Sequence, residues 1–147
     1  TNLLTNGDFS NGTTGWAPYQ TGGSANNSLS VNGSGQAVWV VNSGPYWFFQ
    51  QVTGLVPGKT YFITATLVSR SSNAWLRVGS GSGGSSDLLD AINWSSNGTS
   101  TDYFFTVPIG WTNNIYVQFG VQSGTGNTLV LDNVVLHEAD PERSYSS

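Results

Sequence analysis

Residues that form tight turns recur along this chain at short intervals, and this punctuation constrains its fold more than any other feature. Asn-Gly pairs begin at Asn6, Asn11, Asn32 and Asn97, a Pro-Gly pair begins at Pro57, and a glycine–serine run spans 79–86. Such residues favour reverse turns, and the segments between them are too short for stable amphipathic helices. The sequence therefore predicts an all-β fold built from short strands.

The stretches between these turns are rich in β-branched and aromatic residues, which favour β-strands. The predicted strands cover 2–4, 16–19, 28–31, 36–41, 47–52, 60–70, 74–79, 101–107, 114–122 and 128–137. Their regular spacing, with a turn signal between neighbours, is typical of a sandwich of two packed sheets.

Two of these stretches alternate with the period of two that a half-buried strand shows. In 74–79, Leu76 and Val78 share one face, while Trp75 and Arg77 share the other. In 114–122, one face carries Ile115, Val117, Phe119 and Val121, and the opposite face carries Tyr116, Gln118 and Gln122. We therefore expect one face of this sheet to be core and the other to present aromatic and amide side chains.

Charged residues make up only 8% of the chain, and the formal net charge is −4 at pH 7. The basic residues are Lys59, Arg70, Arg77 and Arg143, which are scattered through the sequence. Binding to nucleic acid or to anionic lipid needs clustered positive charge, so both partners are disfavoured, as are polyanionic glycans. A neutral ligand fits this composition best.

The sequence contains no cysteine and no apolar run near the roughly 18 residues that span a membrane. It begins at Thr1 instead of methionine, which favours a processed protein or a domain of a longer one. We expect a secreted or extracellular monomer that belongs to a larger multidomain enzyme or surface protein. We expect the folded domain to cover 1–137 and a linker or tail to cover 138–147, where the composition changes.

The acidic residues offer little for catalysis. Glycoside hydrolysis usually needs two carboxyl groups at a fixed separation, yet three of the eight acidic residues fall in 138–147. Asp87 and Asp90 are close in sequence, but a solvated loop or a turn cap explains them better than an acid pair. The single histidine, His137, has no cysteine or second histidine to complete a metal or Ser/His/Asp site. We therefore predict a protein that is not an enzyme.

Three segments together resemble carbohydrate-binding modules of the family 4, 9, 16 and 22 group. The first is Asn-Leu-Leu-Thr-Asn-Gly-Asp-Phe-Ser-Asn-Gly at 2–12, followed by Gly15-Trp16; the second is Val-Thr-Gly-Leu-Val-Pro-Gly-Lys-Thr-Tyr at 52–61; the third is Leu-Val-Leu-Asp-Asn-Val-Val-Leu at 129–136. They cover both ends and the middle of the chain. The resemblance implies a two-sheet β-sandwich of the jelly-roll type.

The same resemblance implies one structural calcium ion where the first and last strands meet. The ligands carried over are Asp8, Asp132 and oxygens near Asn27 and Ser28. Loop carbonyls and carboxylates are the oxygen ligands that calcium prefers. The alternative is that Asp8 caps a turn and Asp132 bonds to a neighbouring loop. The family often has Glu where Ser10 stands in this chain, which removes one acidic ligand.

Neutral sugars stack on aromatic rings while amides and hydroxyls bond to their hydroxyl groups. The outward faces of 74–79 and 114–122 therefore supply candidate sugar contacts in Trp75, Arg77, Tyr116, Gln118 and Gln122, although exposed aromatics also serve as cross-strand partners. By resemblance, Tyr19 matches a ligand-stacking tyrosine of family 4 modules.

Other tryptophans are less clearly placed by the sequence. Trp47 joins the candidate sugar contacts because its strand is expected to flank the groove. Apolar residues occupy both faces of that strand, so the alternation does not place Trp47. Trp94 lies in a polar segment and is either a sugar platform or a plug at the end of the sandwich. Trp16 is expected in the core, and Trp39 and Trp111 stay unassigned.

The sequence thus predicts non-catalytic binding of a neutral polysaccharide such as a β-glucan, xylan or mannan, in a groove on one sheet. The alternative is a structural or adhesion jelly-roll domain of a virion, tail fibre or cell surface, whose outward aromatics contact protein. A small lyase or hydrolase is the least supported interpretation, because the chain has few candidate catalytic acids and bases.

Overall fold

The short stretches between turns fold as β-strands in the computed structural model, which describes residues 2–19, 27–43, 46–94 and 99–139. The strands are β1 (Ala17–Pro18), β2 (Ser28–Val31), β3 (Ala37–Val41), β4 (Trp47–Val52), β5 (Thr60–Arg70), β6 (Ala74–Gly79), β7 (Leu89–Ile92), β8 (Thr99–Thr106), β9 (Ile115–Val121) and β10 (Asn127–Glu138). The described residues contain no helix, so none of them forms one that could cross a membrane.

These strands form two antiparallel sheets of five strands each. Sheet A has the order β1-β4-β9-β6-β7, and sheet B has the order β2-β3-β10-β5-β8. Strands that are distant in sequence, such as β4 and β9 or β3 and β10, lie side by side. The predicted all-β, two-sheet jelly roll is confirmed.

The core lies between the sheets and contains one set of alternating residues from each strand. Phe119 and Phe48 stack at 5.5 Å at its centre, and Trp16 and Trp39 each pack against Phe48, at 5.9 and 5.4 Å. Both tryptophans are buried, which confirms the prediction for Trp16 and assigns Trp39. Each large side chain buried here contributes about 1.5–3 kcal/mol.

The N-terminal segment ties the two sheets together across one end of the sandwich. The predicted strand at 2–4 does not form, but the Leu3 amide donates to the Leu136 carbonyl of β10 at 2.8 Å. The Thr5 amide donates to Oε1 of Gln50 in β4 at 2.8 Å, and the Gln50 amide returns a bond to the Thr5 carbonyl at 2.9 Å. The buried Gln50 amide is satisfied in this way, as a buried polar group must be.

The structure also differs from the sequence-based expectation at β7 and at the ends of several other strands, including β8 and β10. The segment around Asp90, expected to be a loop, is strand β7, which pairs with β6. The last strand extends to Glu138, whose carboxylate lies 3.1 Å from Lys59 Nζ, and the Ala139 amide still bonds to Thr60. The rest of the predicted tail, 140–147, lies outside the described residues.

Candidate functional site

The face of sheet A that turns away from the core carries most of the predicted sugar contacts. Strand register arranges its side chains in three rows across the sheet. The first row is Trp47, Gly120, Trp75 and Ile92; the second is Phe49, Gln118, Arg77 and Asp90; the third is Gln51, Tyr116 and Gly79. Residues between these positions, including Leu76 and Val117, are buried in the core. The predicted division of β6 and β9 into a core face and an aromatic–amide face is therefore confirmed.

Trp47 and Trp75 of the first row form an aromatic cluster with Tyr46, the residue just before β4. The ring centroids of Trp47 lie 5.1 Å from Tyr46 and 5.9 Å from Trp75, and those of Tyr46 and Trp75 are 5.2 Å apart. Gly120 makes this possible, because a Cβ at that position would lie 2.8 Å from Trp47 Cε3. The indole of Trp47 therefore lies close against the sheet backbone instead of projecting from it.

The glycine-rich connection from β6 to β7 folds back over this face, and we call residues 79–87 the strap. Gly84 of the strap lies against the indole of Trp47, and Gly83 lies against the ring of Tyr19. The Gly84 carbonyl accepts a bond from Arg77 at 3.1 Å. The strap therefore crosses the centre of the predicted groove.

Gln118 holds the strap from below. Its Oε1 accepts a bond from the Gly84 amide, and its Nε2 donates to the Ser85 carbonyl at 2.9 Å. As a result, Gln118 is 0% exposed and Trp47 is 4% exposed. Both residues lie on the predicted face, but the strap covers them. This corrects the prediction that they touch sugar: they support the strap instead.

Asp87 forms hydrogen bonds to two other residues of the strap. Its carboxylate accepts bonds from the Ser80 amide at 3.0 Å, the Ser80 hydroxyl at 3.1 Å and the Ser85 hydroxyl. These bonds, above all that from Ser85, lower the pKa of Asp87 to about 2. The acidic residue that could have served an acid pair is instead a structural acceptor.

The charges on this face cancel. Arg77 Nε lies 2.8 Å from Asp90 Oδ1, and the guanidinium also sits 4.9 Å from the centroid of the Trp47 ring. These two are the charged side chains that the register places on the described part of the face. This ion pair carries no net charge, and the strap adds one carboxylate, that of Asp87, which is bonded to Ser80 and Ser85.

Two areas of the face remain open on either side of the strap. One, which we call the open strip, comprises Phe49, Gln51 and Tyr116; the rings of Phe49 and Tyr116 meet edge to face at 5.6 Å, and Gln51 is exposed. The other comprises Trp75 and Tyr46, both half-buried, and Ile92, which is exposed. Rings half-exposed beside an amide are the groups that stack on sugars and bond to their hydroxyls.

The remaining predicted contacts have different positions. Tyr19 is half-buried beside the strap, with its amide bonded to the Trp47 carbonyl at 2.8 Å. Gln122 lies just beyond β9, where its Oε1 accepts bonds from Asn73 and Ser72. Trp94 is 1% exposed and packs 5.3 Å from Phe119. It belongs to the core, so the prediction of a sugar platform at Trp94 is wrong.

The sequence reasoning missed Tyr46, Phe49 and Gln51. Strand β4 reads Trp-Phe-Phe-Gln-Gln-Val, a run in which apolar residues occupy both faces and hide the alternation. The signal that could have revealed them is the pairing of this strand with β9, whose alternation is clear. Phe49 pairs with Gln118 and Gln51 pairs with Tyr116, which places them on the same face.

The four predicted calcium ligands do not all meet, because Ser28 lies far from Asp132. Ser28 pairs with Val40, which pairs with Thr128, four residues before Asp132 on β10. Two strand spacings and four residues along a strand separate Ser28 from Asp132 by roughly 16 Å. Calcium binds its ligands at about 2.3–2.6 Å, so one ion cannot touch both.

Three of the four residues also have hydrogen-bond partners for a side-chain oxygen. Asn27 Oδ1 accepts bonds from the Asn42 and Ser43 amides, and Asp132 Oδ1 accepts a bond from the Asn133 amide. Ser10 donates its amide and hydroxyl to Asp8, which lowers the pKa of that carboxyl. Asp8 therefore caps a turn, as the alternative interpretation held, and the predicted set does not fit a shared ion.

Comparison with known proteins supports the fold. No protein-family profile matches the chain, and no curated protein does. Among solved structures, a family 4 carbohydrate-binding module aligns over 92% of this chain and 99% of its own, with a TM-score of 0.71 and 18% identity. A family 16 module aligns over 93% of this chain and 100% of its own, with a TM-score of 0.64 and 19% identity.

Other similar structures include modules of families 22, 29 and 61. A cyclase from Fischerella sp. TAU also aligns, over 95% of this chain and 98% of its own, with a TM-score of 0.61 and 14% identity. At these identities the likeness concerns the fold alone, and the same fold supports both binding modules and an enzyme.

We predict that Gly84→Ala displaces the strap. Gly84 has φ of 100°, and a Cβ there would lie 2.5 Å from Trp47 Nε1. Overpacking of this kind costs about 1–3 kcal/mol. Acrylamide should quench Trp47 more strongly in the variant, and its emission should move to longer wavelength. Gly81→Ala is the control, because its Cβ would meet only Ser85 Cβ at 3.6 Å; equal quenching in both variants would contradict the described position of the strap.

We also predict that acid loosens the strap. Asp87 has a pKa lowered from 3.8 to about 2, so it stabilises the fold above its unfolded-state pKa and loses that contribution as the pH falls towards its folded value. Quenching of tryptophan emission by acrylamide should therefore rise between about pH 4 and pH 2. Asp87→Asn, which cannot titrate, should lack this component; an unchanged pH profile in that variant would show that other carboxyls cause the transition.

Because Ser28 and Asp132 cannot share one ion, the predicted ligand set does not form, and we expect excess EDTA to leave the melting temperature unchanged. Removal of an ion that binds only the folded state must lower it. Differential scanning calorimetry with and without EDTA, and with calcium added back, measures the effect. A drop that calcium reverses would show a site built from other ligands.

Proposed function

We propose that this domain binds a neutral polysaccharide on the outer face of sheet A and performs no chemistry on it. The observation that carries the proposal is a sheet face with half-exposed aromatic rings beside an exposed amide, on which the one arginine is paired with Asp90. Phe49 and Tyr116 would stack on sugar rings, and Gln51 would bond to hydroxyls, on one side of the strap. Trp75 with Tyr46 provides a second platform on the other side.

The charge of this face favours neutral glycans such as β-glucan, xylan or mannan. Arg77 and Asp90 neutralise each other at 2.8 Å, so an anionic chain gains no free cation, and the Asp87 carboxylate on the strap is bonded to Ser80 and Ser85. Hydrogen bonds and stacking would therefore provide the attraction. Since the contacts are shallow, we expect dissociation constants of about a micromolar or weaker.

The engaged carboxylates favour binding over hydrolysis. A glycosidase needs two carboxyl groups free to act as acid and base or nucleophile. Asp87 is bonded to strap serines and Asp90 is paired with Arg77. Within the described residues no group of three His, Cys, Asp or Glu side chains could hold a metal ion. A role in holding an attached enzyme or surface protein near extracellular polysaccharide is consistent with these features.

Affinity electrophoresis against xylan, β-glucan and mannan tests the proposal. We expect at least one polymer to retard the wild-type domain, and Tyr116→Ala or Trp75→Ala to weaken binding about tenfold or more, equivalent to about 1.4 kcal/mol. Both residues are half-buried on the outer face, so the melting temperatures of these two variants should fall far less than that of Trp94→Ala. For Trp94→Ala we expect a loss of about 3–5 kcal/mol in the free energy of unfolding.

Phe104→Ala is the matched control, because Phe104 is 38% exposed and lies on sheet B. It should bind like the wild type. Unchanged mobility of the wild type on every polymer, together with self-association or a protein partner in light scattering, would instead support the structural or adhesion role.

A further inference from the structure

A pocket of about 240 Å³ opens at the end of the sandwich where β4 ends and β9 begins. It lies between the β4–β5 and β8–β9 connections. Its lining includes Trp111, Gln51, Thr53, Thr112, Asn113 and Asn114. None of the residues that line it is charged. The pocket therefore combines one large ring with amide and hydroxyl groups, the same chemistry as the open strip.

The indole of Trp111 is fixed in one wall of this pocket. Its Nε1 donates to the Asn113 carbonyl at 2.8 Å, and its amide donates to the Pro108 carbonyl at 3.1 Å. Part of the ring packs on the core, and the residue is half-buried. Because both the ring nitrogen and the backbone amide of Trp111 are bonded, the ring loses little conformational freedom when a ligand stacks on it.

The pocket is continuous with the open strip. Gln51 lines the pocket and is also the partner of Tyr116 across β4 and β9, while Val52 and Ile115 form the next pair. In the opposite direction, the strap covers Trp47 and Gln118. A sugar chain bound on Phe49 and Tyr116 therefore cannot extend towards the centre of the sheet, where the strap lies. It can extend in the other direction, towards Trp111.

We propose that this pocket is a subsite for one neutral sugar unit of the polysaccharide bound on the open strip. This inference rests on the proposed function. The volume is below the roughly 300–1,000 Å³ of pockets for drug-sized ligands, so a single ring fits and an oligosaccharide does not. Trp111 stacks on that ring, and the amides of Gln51, Asn113 and Asn114 select a neutral, hydroxyl-rich unit.

Isothermal titration with oligosaccharides of increasing length, taken from the polymer that retards the domain, tests the subsite. In the wild type, affinity should rise about tenfold at the length that first reaches the pocket. Trp111→Ala should lose this increment and bind shorter oligosaccharides like the wild type, while Trp111→Phe should keep most of it. Ile109→Ala is the control, since Ile109 is 91% exposed and outside the pocket.

Asn114→Ala gives the same test without removing the ring, so it covers the case in which Trp111→Ala fails to fold. If both variants keep the full length dependence while Tyr116→Ala loses binding, the subsite is wrong and the proposed function stands. If the wild type binds no polysaccharide, the proposed function falls and the subsite falls with it.

Discussion

The position of Trp47 on the outside of sheet A governs the arrangement of the candidate site. Its ring lies against Gly120 of the sheet on one side and Gly84 of the strap on the other. A Cβ at either glycine would overlap the indole, so both must lack a side chain. Because the ring fills this space, the strap rests on it, Arg77 reaches the Gly84 carbonyl, and the sheet face divides into two open areas.

A buried amide completes this arrangement. Gln118 sits at the centre of the face, where it would be a natural partner for sugar hydroxyls, but its oxygen and nitrogen are both engaged by the strap backbone. An unpaired buried amide would cost about 1–3 kcal/mol, so the strap and Gln118 hold each other in place. In the proposed function, the groups left to contact a polysaccharide are therefore those at the periphery of the face, namely Phe49, Gln51, Tyr116 and Trp75.

The likeness to carbohydrate-binding modules and to a cyclase shows a fold that carries different activities. The outer face of sheet A has partly accessible rings, one ion pair, and carboxylates bound to serine and arginine. Those features are the basis of the function proposed above. The pocket at Trp111 extends the same chemistry beyond the sheet.

The sequence by itself determined the elements and the faces of the best-patterned strands. Strands β2, β4, β5 and β6 have the predicted bounds, because turn residues delimit them, and the alternation in β6 and β9 assigned Trp75 and Tyr116 to the outer face. Only the tertiary structure decided what covers that face. The strap over Trp47 and Gln118, the burial of Trp94 and the separation of Ser28 from Asp132 arise from contacts between residues far apart in the chain. Local periodicity reports which side of a strand a residue occupies, but not which distant segment packs against it.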